Sequence, residues 1–120
     1  MRTKSDKTPP LSSATLHILL ALAGGDLHGY GIIQEVVRHS DGHYKLGPGT
    51  LYDNLKKLMD AGLVADAPKS ASPEDDERRF YTLTMAGRSA LSVEVDRLQR
   101  VVGEARLRLQ SFQETRPKPI

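Results

Sequence analysis

The last third of the chain carries a pattern that few folds can absorb. Leu91, Val95, Leu98, Val102, Ala105, Leu109 and Phe112 follow one another in alternating steps of four and three, the spacing that keeps one edge of an α-helix turned toward a partner. Thr84 supplies a hydroxyl to cap such a helix, so the pattern predicts a helix from Met85 to about Gln113. At 1.5 Å per residue it spans on the order of 43 Å, more than a small domain can cover from within. Gly87 and Gly103 leave room for bends along it. A projecting helix with an apolar edge needs a second surface, and another copy of the chain supplies one. These seven residues are therefore the expected dimerisation seam of a homodimer.

A chain of 120 residues has room for one domain beside that helix, and 38% hydrophobic with 27% charged residues suits a globular one. Residues 1–10 are polar, end in Pro9-Pro10 and read as a flexible arm; 114–120, with Pro117 and Pro119, read as a flexible tail. Between them, 11–84 form the domain and 85–113 the dimerisation helix. Ser12 or Ser13 caps a first helix whose Leu16, Leu19, Leu20 and Ala23 recur at helical spacing before Gly24-Gly25. A second helix is expected from about Gly29 to His39, with Ile32, Ile33, Val36 and Val37 on its apolar side and glycines weakening its first turn. Gly47-Pro48-Gly49 punctuates the chain before a third helix, capped by Thr50, with Leu51, Leu55, Leu58 and Met59 as its buried stripe. Leu63-Val64-Ala65 and Phe80-Tyr81-Leu83 then make a two-stranded hairpin around an exposed polar loop.

Several classes of function drop out. Without cysteine there is no thiol catalysis, disulfide or thiolate metal site. His39, Asp41 and His43 surround a turn, but turn polarity accounts for them better than zinc does. No nucleophile sits with a base in a recognisable context, and Gly47-Pro48-Gly49 lacks the lysine and hydroxyl of a phosphate loop. Neither an enzyme nor a cofactor or metal protein is expected. The longest nearly apolar run, Ile18 to Ala23, is far too short for a membrane span, and the N-terminus lacks a persuasive cleavage signal. A cytoplasmic protein without membrane contact is the expectation.

Three helices followed by a hairpin can read double-stranded DNA, because the third helix fits the roughly 12 Å major groove while the hairpin lies along the backbone. A formal charge of only +2 requires the DNA surface to be local. Its candidates are Lys45, Gly49, Thr50, Tyr52, Asn54, Lys56 and Lys57 around helix three, and Lys69, Arg78 and Arg79 around the hairpin loop. Lys45, Lys56 and Lys57 have the charge for phosphate contacts, whereas Thr50 and Asn54 have groups that match base edges. Asp53 favours the positive end of the helix dipole, and Tyr52 is equally a packing residue with its hydroxyl at the surface. The acidic run Glu74-Asp75-Asp76-Glu77 keeps the loop tip from deep insertion into DNA. His28 serves the start of helix two by hydrogen bonding. The alternative to DNA is a homodimeric protein-interaction module, which the seam and the modest charge also accommodate.

The sequence resembles the PadR-like family of bacterial transcriptional regulators. The likeness rests on Leu19-Leu20-Ala21-Leu22 with His28-Gly29-Tyr30-Gly31-Ile32, on Leu46-Gly47-Pro48-Gly49-Thr50-Leu51-Tyr52 with Leu55, Leu58, Gly62 and Leu63, and on Arg78-Arg79-Phe80-Tyr81-Thr82-Leu83-Thr84 with Gly87. These run in family order from about residue 14 to 91. Asp53 and Met85 stand where the family often has proline, at helix starts that tolerate the change. The resemblance implies an α+β, mainly α fold, a winged helix-turn-helix with a long C-terminal dimerisation helix, in the short branch with a single such helix. It also implies repression by operator occupancy, and a small-molecule effector as a further partner, with no ligand site assigned.

Overall fold

The computed structural model describes residues 9–68 and 78–115, the side chains of 113–115 excepted. The proposed arm up to residue 8, Lys69, the acidic run 74–77 and the tail from 116 lie outside the described residues. Ser12, the first of the two serines considered, accepts from the Thr15 amide at 3.2 Å and opens α1 (Ser13–Ala23). Leu27–His28 forms β1, and α2 (Gly29–His39) follows directly, over the span expected. His28 caps α2 by accepting from the Gly31 amide at 3.0 Å, which gives the glycine-weakened first turn its anchor.

The third helix, α3 (Pro48–Asp60), starts earlier than expected. Gly47 is its N-cap without a side-chain bond, and Pro48 occupies the first turn, where a missing N–H costs nothing. Thr50 is thus not the cap, and it stands exposed inside the first turn. β2 (Val64–Asp66) and β3 (Phe80–Leu83) pair antiparallel, with Val64 opposite Leu83 and Asp66 opposite Tyr81. The expected two-stranded hairpin is in fact the larger part of a three-stranded sheet in the order β1-β3-β2, since Leu27 pairs with Tyr81 and His28 with Phe80. A strand of two residues has no periodicity for a sequence reading to detect.

The core lies where α1 meets α2, α3, α4 and β3. Leu19, Leu22, Ile32, Val36, Leu51 and Leu55 are buried in it, each such burial contributing about 1.5–3 kcal/mol before entropy is counted. A polar cluster sits at one edge. His17 Nδ1 and His39 Nε2 are 2.9 Å apart, and the Tyr44 ring stacks on His17 at 4.2 Å, so α1, the end of α2 and the following loop meet there. Among the described residues His39 Nδ1 has no hydrogen-bond partner, and it faces the Glu35 carboxylate at 3.8 Å. Burial, and secondarily His39, holds the His17 imidazole below its ordinary pKa.

α4 (Met85–Thr115) begins where Thr84 Oγ1 accepts from the Gly87 amide at 3.0 Å and donates to the Gly62 carbonyl at 2.7 Å. Gly87 is buried against the chain leaving α3: a Cβ there would collide with the Leu63 carbonyl oxygen and lie 2.6 Å from Leu83 Cδ1. From Leu98 to Phe112 every residue of α4 is exposed. Its 31 residues reach about 46 Å, and the radius of gyration of 18.5 Å exceeds the roughly 14 Å of a compact chain this long. No helix among the described residues is long and apolar enough to cross a membrane.

Candidate nucleic-acid interface

The recognition surface begins with the helical period of α3. Burying Leu51, Leu55 and Leu58 on one side leaves Gly49, Asp53, Lys56 and Asp60 on the other, with Thr50 and Lys57 along one flank and Tyr52 along the opposite one. Thr50, Lys56 and Lys57 are exposed there, and Lys45 is exposed on the loop that leads in. Asp53 therefore stands on the outermost line of the helix, between Gly49 and Lys56. Asn54 is half-buried and placed differently: its amide donates to the Thr50 carbonyl at 2.8 Å, and its Oδ1 faces the Thr15 hydroxyl at 3.5 Å. The structure brings Asn54 toward α1 and not to the outer face.

Tyr52 reaches sideways to α2. A Cβ on Gly29 would collide with the Tyr52 hydroxyl, so only glycine at the first residue of α2 lets the ring lie there. Tyr52 is still 51% exposed, so its ring packs against the start of α2 while part of it remains open to solvent. Across from it, at the base of the hairpin, the two arginines differ. Arg79 grips both carboxylate oxygens of Asp66, its Nη2 to Oδ2 distance being 3.1 Å, and its guanidinium lies 5.3 Å from the Tyr81 ring centre. The Arg79 hydrogen bond holds the Asp66 carboxyl below the usual carboxylate range, and the Asp66 hydrogen bond raises Arg79 in turn. Burial raises the Tyr81 phenol. Arg79 thus ties β2 to β3 with its charge balanced.

Arg78 is exposed, with Nη1 3.1 Å from His28 Nε2. Between α2, α3 and the hairpin base lies a cavity of about 660 Å³, lined by His28, Tyr30, Tyr52, Arg78, Arg79 and Tyr81. From sequence alone His28 is expected to have a structural task only, and Tyr30 none. The close pair of glycines at 29 and 31 was the local sign that another element approaches here. Among the described residues no group of three or more His, Asp or Glu converges as metal ligands would, and His39 pairs with His17.

The α4 seam divides. Leu91 is 8% exposed and belongs to the chain's own core, whereas Val95, Leu98, Val102, Leu109 and Phe112 range from 38% to 64% exposed. An open groove of about 520 Å³ runs along the distal helix, lined by Arg97, Arg100, Val101, Glu104, Ala105 and Arg108.

A helical core, an antiparallel sheet with a hairpin and an outward-facing third helix define a winged helix-turn-helix domain. The chain belongs to the PadR-like family of transcriptional regulators, whose pattern it matches over residues 18–93. It is 34% identical over 93 residues to the transcriptional regulator Rv3488 of Mycobacterium tuberculosis, covering 78% of this chain and 82% of that one. Its fold is similar to that of a PadR family regulator from Clostridium difficile R20291, with TM-score 0.68, 23% identity, and coverage of 82% of this chain and 99% of the other. It is also similar to Bacillus subtilis PadR in complex with operator DNA, with TM-score 0.60, 25% identity, 93% of this chain and 51% of the other. Members of the family are transcriptional regulators, not enzymes, and bind DNA as dimers through the winged helix-turn-helix.

Proposed function

We propose that the chain is a transcriptional repressor that occupies an inverted-repeat operator as a homodimer. The observation that carries this reading is the outer face of α3, where Gly49, Thr50, Lys56 and Lys57 stand free of the core beside a hairpin. Lys45, Lys56, Lys57 and Arg78 contact phosphates, with Lys69 of the hairpin loop as a further cation. Thr50 and the start of α3 meet base edges. Asn54 joins them only by giving up its bond to Thr50, and Arg79 acts mainly by holding the hairpin. The seam on α4 pairs two copies, so the two α3 helices enter successive major grooves roughly 34–36 Å apart. A small effector releases the operator if it prefers a dimer geometry in which the two reading heads are misplaced.

The test is selection of fragments from a genomic library, repeated at more than one salt concentration. A reproducibly enriched, symmetric motif is the expected result, and Lys57→Ala lowers the salt slope of its binding by about 0.9. Absence of enrichment at every salt concentration overturns the DNA reading in favour of a protein-interaction module.

A further inference from the structure

We infer that the cavity between the start of α2 and the hairpin base is a socket for one DNA phosphodiester, with His28 Nε2–H and Arg78 as its donors; this rests on the DNA-binding reading above. The tautomer of His28 follows from its capping bond. Nδ1 accepts from the Gly31 amide at 3.0 Å, so in the neutral ring the proton is on Nε2. That N–H is 3.1 Å from Arg78 Nη1, and a guanidinium has donors only. The two groups therefore meet donor to donor and neither satisfies the other. An anionic oxygen set against both does so, with charge-assisted bonds.

The surroundings fit an anion held at a surface. The Phe80 ring meets His28 edge-on at 5.3 Å and fixes the imidazole plane, and the Tyr30 and Tyr52 rings wall the cavity while 65% and 51% exposed. Arg79, the other cation of the lining, is neutralised by Asp66, which among the described residues of the lining leaves the Arg78 charge to match the single charge of a phosphodiester. Tyr52 lines the cavity from α3 and stands on the flank beside the outer line of Gly49, Asp53 and Lys56. The cavity thus borders the face proposed to enter the groove, and a duplex seated on α3 carries its backbone past it. This adjacency favours a DNA phosphate over a free anion.

His28→Asn separates the two tasks of the histidine, because asparagine still caps α2 while Nε2–H is lost. Binding to the enriched motif is measured across a salt series. Arg78→Gln is expected to weaken binding about tenfold and lower the salt slope by about 0.9. His28→Asn is expected to weaken binding about tenfold, as loss of a hydrogen bond to a charged group does, with the slope unchanged. The double variant falls short of the product of the two, because both donors serve one phosphate. If His28→Asn fails to fold, methylphosphonate replacement of single phosphates replaces it: one position is expected to weaken wild-type binding clearly more than it weakens binding by Arg78→Gln. Wild-type affinity and slope in both variants, or no such phosphate position, overturns the socket and leaves DNA binding by α3 standing. Wild-type protein that enriches no DNA overturns both. In a third arm, His28 imidazole signals are followed by NMR. A shift with the duplex and none with inorganic phosphate is expected; saturation by inorganic phosphate alone with no response to the duplex assigns the cavity to a free anion and overturns the proposal.

Discussion

The two halves of α4 share one helix and one heptad period, yet they meet opposite surroundings. Near its start, Gly87 lies against the Leu63 carbonyl, Leu91 is 8% exposed and Glu94 is 5% exposed beside Arg97. Farther on, Val101, Leu109 and Phe112 are each at least 60% exposed. A heptad edge therefore states that a helix must be covered along that side and not what covers it. The proximal half finds cover in α1 and β3 of the same chain. The distal turns have outrun it, and in the homodimer proposed above a second copy supplies their cover.

The largest effect expected of this contrast lies in the distal half. Leu98→Lys places charges on the seam, and sedimentation should show monomers that keep a folded winged helix-turn-helix. Loss of divalency should lower operator affinity by about 10²–10⁴-fold. A stable dimer with unchanged affinity would place the dimer surface elsewhere. Leu91→Ala probes the proximal half and should lower unfolding stability by about 2–5 kcal/mol. Its loss should be the same at every protein concentration, because the contact is internal. A loss that grows on dilution would move Leu91 to the dimer interface.

The smallest effect concerns α1, on which the proximal half rests. His17 is held below its ordinary pKa by burial and by His39, so the unfolded chain takes up the proton first. The contribution is fully present above the unfolded histidine value of about 6.5 and is lost as pH falls below it toward the folded value. Thermal unfolding followed from pH 7.5 downward should show a shallower decline in His17→Phe than in the wild type. Parallel curves for the two proteins would remove His17 as a cause.

Much of the fold is written in short-range signals. The span of α2, the Thr84 cap and the long helix α4 were each legible because caps and helical periods act within a few residues. The start of α3 was not, because a proline two residues before Thr50 forms a first turn without any side-chain cap. Of the candidate site, Lys45, Thr50, Lys56 and Lys57 stand on the surface as their polarity foretold. Asn54 turned toward α1 and Arg79 toward Asp66, because each found a nearer partner than solvent.

The seam on α4 marks the boundary between the two sources of order. From sequence alone came the helix, its period and its need for a partner, since these repeat along the chain. Only tertiary structure decided that Leu91 turns inward, that β1 joins β3, and that His28 Nε2 and Arg78 Nη1, 50 residues apart in sequence, come within 3.1 Å of one another. Such outcomes depend on which distant surfaces meet, and local propensities carry no record of that meeting.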